Sequence, residues 1–142
     1  MPTTPLEGAM TRSLQYALEN SYLVALEAAT PKKTRITSRS WKVEETGTPG
    51  KFKLVNTALT RNKKYSIVKL LEEGTDPHVI RAKNAKALHW QKGSKHFFAK
   101  QVQHPGFEGR QFVKKTLNNV GNDERFQRQL AIQFKKELKA LR

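Results

Sequence analysis

The chain of 142 residues contains no cysteine, which excludes disulfide bonds and thiolate metal sites. No apolar run approaches the ~20 residues that a membrane-spanning helix needs. Glu7, Arg12 and Gln15 interrupt any signal-peptide-like stretch at the N-terminus. Acidic residues are also scarce, since 12 Asp and Glu stand against 27 Lys and Arg and leave a net charge of +15. We therefore expect a single domain over residues 1–142 that has no membrane partner and that binds a polyanion or an acidic protein surface.

Catalytic and cofactor-binding patterns are absent as well. The four histidines show no HExxH or other short ligand spacing, although histidines distant in sequence could still meet in the fold. No serine lies in a nucleophile-elbow context, and no glycine-rich phosphate loop follows a predicted strand. We expect no enzymatic activity, no cofactor and no metal site.

The positive charge is concentrated in the middle of the chain. Residues 31–64 hold ten basic and two acidic residues, and residues 81–115 hold nine basic residues and one acidic residue. Solvated strand faces and loops would explain this pattern, but a docking surface or the lining of a DNA channel would explain it too. The basic residues of the first stretch, our candidates for that surface, are Lys32, Lys33, Arg35, Arg39, Lys42, Lys51, Lys53, Arg61, Lys63 and Lys64.

Helices are predicted at both ends of the chain. Residues 4–7 have the pattern of a capping box with proline in the first turn, and apolar residues then recur at every fourth position from Leu6 to Leu26. This stripe is predicted to face the core. A helix is predicted over Phe112–Val120, and a last one, capped by Asp123, runs to the C-terminus.

The middle of the chain has the features of strands. Segments Ile36–Glu45 and Lys51–Ala58 are predicted strands, and a short helix ending at Gly74 follows them. Segments Leu88–Gln91 and Lys95–Gln103 predict a second hairpin. The sequence thus predicts an α+β fold: an antiparallel β-sheet packed by an N-terminal and a C-terminal α-helix, with a long basic β-hairpin between Lys32 and Lys64.

A series of landmarks resembles the neck or tail-component family of tailed bacteriophages. These proteins complete the tail end and join it to the DNA-filled head. The landmarks, in chain order, are Pro31-Lys-Lys-Thr34, Glu72-Glu73-Gly74-Thr75, Ile80, Leu88-His89-Trp90, His104-Pro105-Gly106 and Phe112. The family often has glycine where this chain has Arg35, and arginine is expected to resist a positive φ, so the local turn is expected to differ. The proline that often follows the family's phenylalanine is also missing after Phe112.

The resemblance implies a structural virion protein that is assembled in the host cytoplasm and forms a homo-oligomeric ring at the head–tail junction. A hexamer is favoured over a dodecamer. The implied neighbours are head-completion or adaptor proteins and tail-terminator or tail-tube proteins, with non-specific contact to genomic DNA in the channel. The loops expected to form subunit contacts, unless they only shape the monomer, contain Glu73, Gly74, Thr75, His104, Pro105, Gly106, Phe107, Arg110 and Phe112.

Two other functions remain open from the sequence. Trp90, Phe97, Phe98 and Phe107 are interleaved with basic residues, as in modules that stack nucleic-acid bases and contact phosphates. A basic nucleic-acid-binding module is therefore the main alternative. A tail terminator or tube-like protein, placed one layer away in the same assembly, is the third.

Overall fold

The computed structural model describes residues 4–32 and 35–142, so Lys33 and Thr34 of the predicted basic surface and Pro-x-x-Thr segment lie outside the described residues. The fold is α+β, with helices at both ends and small antiparallel ladders between them, which confirms the predicted class. Within the described ranges, no helix has the length and apolarity to cross a bilayer. The helices are α1 (Pro5–Leu18), α2 (Val24–Ala29), α3 (Ile36–Arg39), α4 (Ile67–Glu73), α5 (Phe112–Asn122) and α6 (Arg125–Ala140). The strands are β1 (Trp41–Glu45), β2 (Phe52–Asn56), β3 (Gly74–Thr75), β4 (His78–Arg81), β5 (Leu88–Lys92), β6 (Lys95–Ala99), β7 (Gln101–His104) and β8 (Phe107–Glu108).

The N-terminal helix begins with the predicted capping box. The Thr4 hydroxyl accepts a hydrogen bond from the Glu7 backbone N–H at 3.2 Å, and the Thr4 N–H donates to the Glu7 carboxylate at 2.7 Å. A π-helical turn, Glu19–Leu23, joins α1 to α2. α1 then packs along α6. The two helices run antiparallel: Arg12 contacts Glu137 near the end of α6, and Tyr22, ten residues later, contacts Phe126 near its start.

The face that α1 buries most deeply is not the predicted one, whose Leu14, Leu18 and Tyr22 are only half-buried. Leu26 reaches the core, but Leu6 and Met10 are about half exposed (50% and 49%). Small side chains let two helices approach closely, so larger residues are displaced to the flanks of the contact. The buried hydroxyl of Ser13 donates to the Ala9 carbonyl oxygen at 2.7 Å and leaves no unsatisfied donor there. The residues of α1 and the π turn that are fully buried are Ala9, Ser13, Ala17 and Ser21.

The core lies where α2, β1, α4 and α5 meet. It is built from Leu26, Trp41, Val68 and Phe112. The Trp41 indole N–H donates to the Thr30 hydroxyl at 2.8 Å, and that hydroxyl donates to the Leu26 carbonyl oxygen at 2.6 Å. Because the indole N–H and the hydroxyl O–H each have an acceptor, burying these two groups in the core costs little.

The predicted strand Ile36–Glu45 is wrong in its first half. Residues Ile36–Arg39 form the helical turn α3, and the strand begins only at Trp41. Arg35 precedes α3 with a φ of +61°, so the expectation that it would resist a positive φ is also wrong. The hydrogen bond from the Asn56 side chain to the Thr37 carbonyl oxygen, at 2.7 Å, ties this turn to β2. Such a long-range contact can outweigh local strand propensity.

The long hairpin lies in a different part of the chain from the predicted one. Between Lys32 and Lys64 the ladder covers only Trp41–Asn56, because after Asn56 the chain turns back through the isolated pair Leu59 and Ser66. The longest two-stranded element is instead residues 74–108, in which β3, β4 and β5 pair with β8, β7 and β6. The described strands therefore form separate two-stranded ladders and not one continuous sheet.

The predicted cap of the last helix is displaced by one residue. Glu124, with a φ of +58°, occupies the N-cap position of α6. Asp123 lies just before it, and its carboxylate accepts the Arg125 backbone N–H at 3.0 Å. Asp123 thus still satisfies a free N–H at the start of α6, as expected for an acidic residue there.

The contact between Arg12 and Glu137 should make the α1–α6 contact pH-dependent. Their charged groups lie 2.8 Å apart, and the hydrogen bond from Arg12 lowers the pKa of Glu137 below its ordinary 4.5. A lowered folded pKa means that the pair's stabilisation is present above about pH 4.5 and is lost as the pH falls through the folded pKa. In urea unfolding, the free energy of unfolding of Glu137→Gln should therefore be lower than that of the wild type at neutral pH, and this difference should shrink in acid. Arg12→Gln should behave in the same way, and a difference that does not change with pH would contradict this account.

Candidate assembly surface

The two glycine-centred motifs singled out in the sequence meet at one place. Gly74 pairs with Glu108 and Thr75 with Phe107, and the same register continues outward from His78 and His104. The motifs therefore form the base of the two-stranded element of residues 74–108, which we call the arm. The chain leaves the body and returns to it at this base.

Side chains are excluded at the base because two backbones come into contact there. A Cβ atom at Gly74 would overlap the Phe107 carbonyl oxygen, and one at Gly106 would overlap the Thr75 carbonyl oxygen. Both glycines also have positive φ values, 78° and 74°. The turn at Gly106 is held by its N–H, which donates to the His104 ring at 3.0 Å. These motif residues are thus required to shape the monomer.

Glu72 holds the base to the following helix. Its carboxylate accepts the backbone N–H groups of Val113 at 2.9 Å and Lys114 at 3.0 Å, across more than forty residues of sequence. The Arg110 N–H also donates to the Leu71 carbonyl oxygen at 2.9 Å. Glu72 therefore caps α5 from a distance, where a negative charge also complements the helix dipole. Its position in the Glu-Glu-Gly-Thr motif was the only sequence signal for this role.

The predicted contact residues differ in their accessibility. Glu73, Phe107 and Arg110 are exposed around the base and are available to a neighbour. Phe112 is buried in the core and is not available. The predicted loops are thus brought together, but Phe112 belongs to the packing of α5.

The arm projects without support from the rest of its own chain. Within residues 4–32 and 35–142, the strands β4 to β7 make extensive contacts only with their ladder partners. All the residues of His78–Arg81 are exposed, as are nearly all of those in β5 and β6. The segment between His78 and His104 contains six basic residues and no acidic one. The arm is therefore a cationic ribbon with both faces open.

Aromatic side chains cover both faces of the arm's outer end. Residues Leu88–Ala99 form this end, which we call the tip. Trp90 and Phe97 face each other on one side with ring centroids 5.6 Å apart. His89 and Phe98 face each other on the other side, with ring centroids 4.7 Å apart, and Phe98 is 69% exposed. Cross-strand aromatic pairs stabilise a ribbon, but such a large exposed apolar area indicates a binding surface.

The histidines meet in pairs and not in larger groups. His78 stacks on His104 at 4.9 Å, and a ring nitrogen of His89 lies 2.9 Å from one of His96. Across the described residues, no three His, Asp or Glu side chains come together as metal ligands would. Both pairs are explained by the cross-strand register of the arm.

The predicted basic surface is distributed over separate elements. Lys32, Arg35 and Arg39 line a cleft between α2 and α3. Lys42 and Lys53 flank Glu44 in the β1–β2 hairpin at 3.0 and 3.6 Å. The hydrogen bond from Lys42 lowers the pKa of Glu44. The other predicted members that the structure describes are Lys51, next to β2, and Arg61, Lys63 and Lys64 in the turn before α4. The sequence pattern therefore grouped residues that belong to three different places.

Comparison of this chain with protein-family models, with curated proteins and with solved structures finds no match.

Gly109 provides a test of the close backbone contact at the base. Its φ is not in the left-handed region, but a Cβ there would overlap the Glu72 carbonyl oxygen and lie 2.6 Å from the Glu73 carbonyl carbon. Gly109→Ala should lower the free energy of unfolding by about 2–3 kcal/mol, measured by urea denaturation. The matched control is Gly47→Ala, because Gly47 has open space around it and should change stability by less than about 1 kcal/mol. Equal effects of the two substitutions would argue against the close contact.

The distant cap predicts a difference between two adjacent glutamates. Glu72→Ala removes the acceptor of two N–H groups at the start of α5 and should cost about 1–2 kcal/mol of stability. Glu73→Ala should have almost no effect, because Glu73 is exposed and makes no side-chain hydrogen bond within the described residues. Chemical denaturation of both variants measures this difference, and a loss in Glu73→Ala as large as that in Glu72→Ala would contradict the cap.

Proposed function

We propose that this protein is a non-enzymatic structural component of a tailed-bacteriophage virion. In this role it forms a ring at the head–tail junction, joins the tail to the head and surrounds the DNA channel. The observation that carries the proposal is the arm, a projecting ribbon whose aromatic faces are left uncovered by its own chain.

An isolated two-stranded ribbon is at best marginally stable in water. The arm has cross-strand aromatic pairs but no third strand or helix beneath it in the described part of the chain. A neighbouring copy would supply the missing support. In a ring, each copy contributes one surface to the copy before it and a different surface to the copy after it. A projecting arm is suited to such a head-to-tail contact.

The position at the head–tail junction is what the sequence resemblance implies. It favours a hexamer over a dodecamer, and head-completion or adaptor proteins and tail-terminator or tail-tube proteins as the adjoining layers. A tail terminator would use the same contacts one layer away. The basic residues then have two uses, either docking onto an adjoining ring or facing the DNA that passes through the channel.

A nucleic-acid-binding module is the second candidate function, and a specific observation favours it. A two-stranded β-ribbon fits the major groove of DNA. On the arm, the exposed ring of Phe98 lies in the segment 78–104, which has six basic residues and no acidic one. Base stacking and phosphate contacts would together account for that composition.

Two arm variants separate these functions. Trp90→Ser/Phe97→Ser removes apolar contacts and leaves the charge, whereas Lys92→Gln/Lys95→Gln removes charge and leaves the aromatic pair. The measurement is the mass in solution by light scattering, at low and high salt, with and without a short DNA duplex. For a ring, the wild type should form a salt-resistant oligomer that the aromatic variant loses and the lysine variant keeps.

The nucleic-acid function makes the opposite prediction. The protein would stay monomeric and bind the duplex with an affinity that falls steeply with salt. The lysine variant would then lose affinity and have a shallower salt dependence. A monomer with that behaviour would contradict the ring.

A further inference from the structure

The four histidines of the chain all lie in the arm, where they form two pairs. His78 of β4 is directly opposite His104 of β7, and their rings stack with centroids 4.9 Å apart. His89 of β5 and His96 of β6 are diagonal neighbours at the tip. Histidine is the side chain that changes its charge between about pH 5 and pH 8. The contacts of these rings therefore depend on which ring nitrogens carry a proton.

The turn at the base of the arm requires a neutral His104. The Gly106 backbone N–H donates to Nδ1 of His104 at 3.0 Å, so this nitrogen must have a free lone pair. A protonated imidazole carries a proton on both nitrogens and cannot accept the bond. Protonation would replace the bond by a contact between two donors. The affected turn is the one at which the backbone of Gly106 lies against that of Thr75.

His78 increases the effect of acid on the same place. Its Nδ1 lies 2.8 Å from the Asp76 carbonyl oxygen, an acceptor only, so the ring donates there in either charge state. A protonated His78 would therefore stay opposite His104, and two charged rings would be stacked. Like charges directly opposite each other destabilise an antiparallel pair. The base of the arm thus loses a hydrogen bond and gains a repulsion when both rings are protonated.

The histidine pair at the tip has a similar requirement. Nε2 of His89 and Nδ1 of His96 lie 2.9 Å apart, and a hydrogen bond between them needs one nitrogen with a lone pair. Two protonated rings would have no acceptor between them. Lys92 and Lys95 are the charged residues of the same two strands, and the alternation of side chains places them on the other face. The tip pair therefore also depends on at least one neutral ring.

No carboxylate compensates for the added charge. Segment 78–104 has six basic residues and no acidic one, and Arg81 of β4 lies on the face opposite to the His78–His104 pair. Within the described ranges, none of the histidine rings forms an ion pair with an acidic side chain. Each proton thus adds positive charge to a ribbon that is already cationic. The other charged side chains next to the base are Glu73, Asp76, Glu108 and Arg110.

We propose that the arm is a pH-sensitive element: a neutral His104 holds its base, and the base opens when the histidines gain protons. The open base binds more protons than the closed one, so the stability of the closed base falls as the pH drops from about 8 to about 5. In other proteins, histidine clusters protonated near pH 5–6 act as pH sensors in this way. The inference concerns a single chain and holds whether the arm binds another copy or DNA.

Hydrogen exchange of the backbone amides, followed by mass spectrometry at about pH 7.5 and about pH 5.5, measures this opening. The rates are corrected for the effect of pH on chemical exchange, and carboxyl groups keep their charge over this range. Protection in β3, β4, β7 and β8 should fall roughly fivefold or more at the lower pH, because a hydrogen bond is lost. The β1–β2 hairpin contains no histidine and is the internal control, with an expected change below about twofold.

His104→Asn separates the proposed mechanism from other effects of acid. The asparagine side-chain oxygen accepts the backbone N–H two residues later, as Nδ1 of His104 does, but it does not titrate. This variant should keep the turn and lose most of the pH dependence at the base. His96→Gln is the matched control, because it removes a histidine of the tip and should leave the pH dependence of the base unchanged.

Heteronuclear NMR of the ring nitrogens gives a second test that needs no variant. In the wild type at about pH 7.5, Nδ1 of His104 should be unprotonated, and it should gain a proton over the pH range in which the base loses protection. The proposal is overturned by a protonated Nδ1 at neutral pH, or by protection that falls equally in the base and in β1–β2 or does not fall. An equal pH dependence of the base in the wild type and in His104→Asn also overturns it.

Discussion

The backbone contact at the base of the arm is the constraint on which the rest of the fold depends. The end of α4 meets the start of α5 there, and Glu72 joins them through two hydrogen bonds of 2.9 and 3.0 Å to the Val113 and Lys114 N–H groups. Bringing together the ends of a segment as long as the arm costs entropy. The cap and the paired backbones offset that cost within a few residues. Because both ends of the arm are fixed, the segment between them is free to extend away from the body.

The same principle operates in the helical layer. At the base of the arm the absence of side chains at Gly74 and Gly106 lets two backbones touch. In α1 the small residues Ala9 and Ser13 let two helices approach closely. In both places, close packing moves the bulky apolar groups elsewhere. The buried core is small, and the tip of the arm and the outer faces of α1 and α6 are apolar at the surface.

The sequence predicted the features that depend on neighbouring residues. These include the capping box at Thr4, the short helix that ends at Gly74, and the turn at the tip of the arm. It failed where distant segments decide the structure. The pairing of β3 with β8 and of β4 with β7 joins residues far apart in sequence, and of these short strands only β7 overlaps a predicted strand, Lys95–Gln103. The helical turn at Ile36–Arg39 and the positive φ of Arg35 likewise depend on contacts that local propensity does not contain.

The two proposed functions differ in which part of the arm would provide the binding energy. A DNA groove would use the lysines and at most one aromatic face of the ribbon, so the second face would remain exposed to water. A contact between copies can bury one aromatic face of the tip and leave the other face to meet an adjoining ring or the DNA. The aromatic pairs Trp90–Phe97 and His89–Phe98 lie on opposite faces, which favours a structural role in which the arm lies between protein surfaces. A net charge of +15 is compatible with this role, because charge sets the partners and the rate of association while apolar burial sets the stability of the contact.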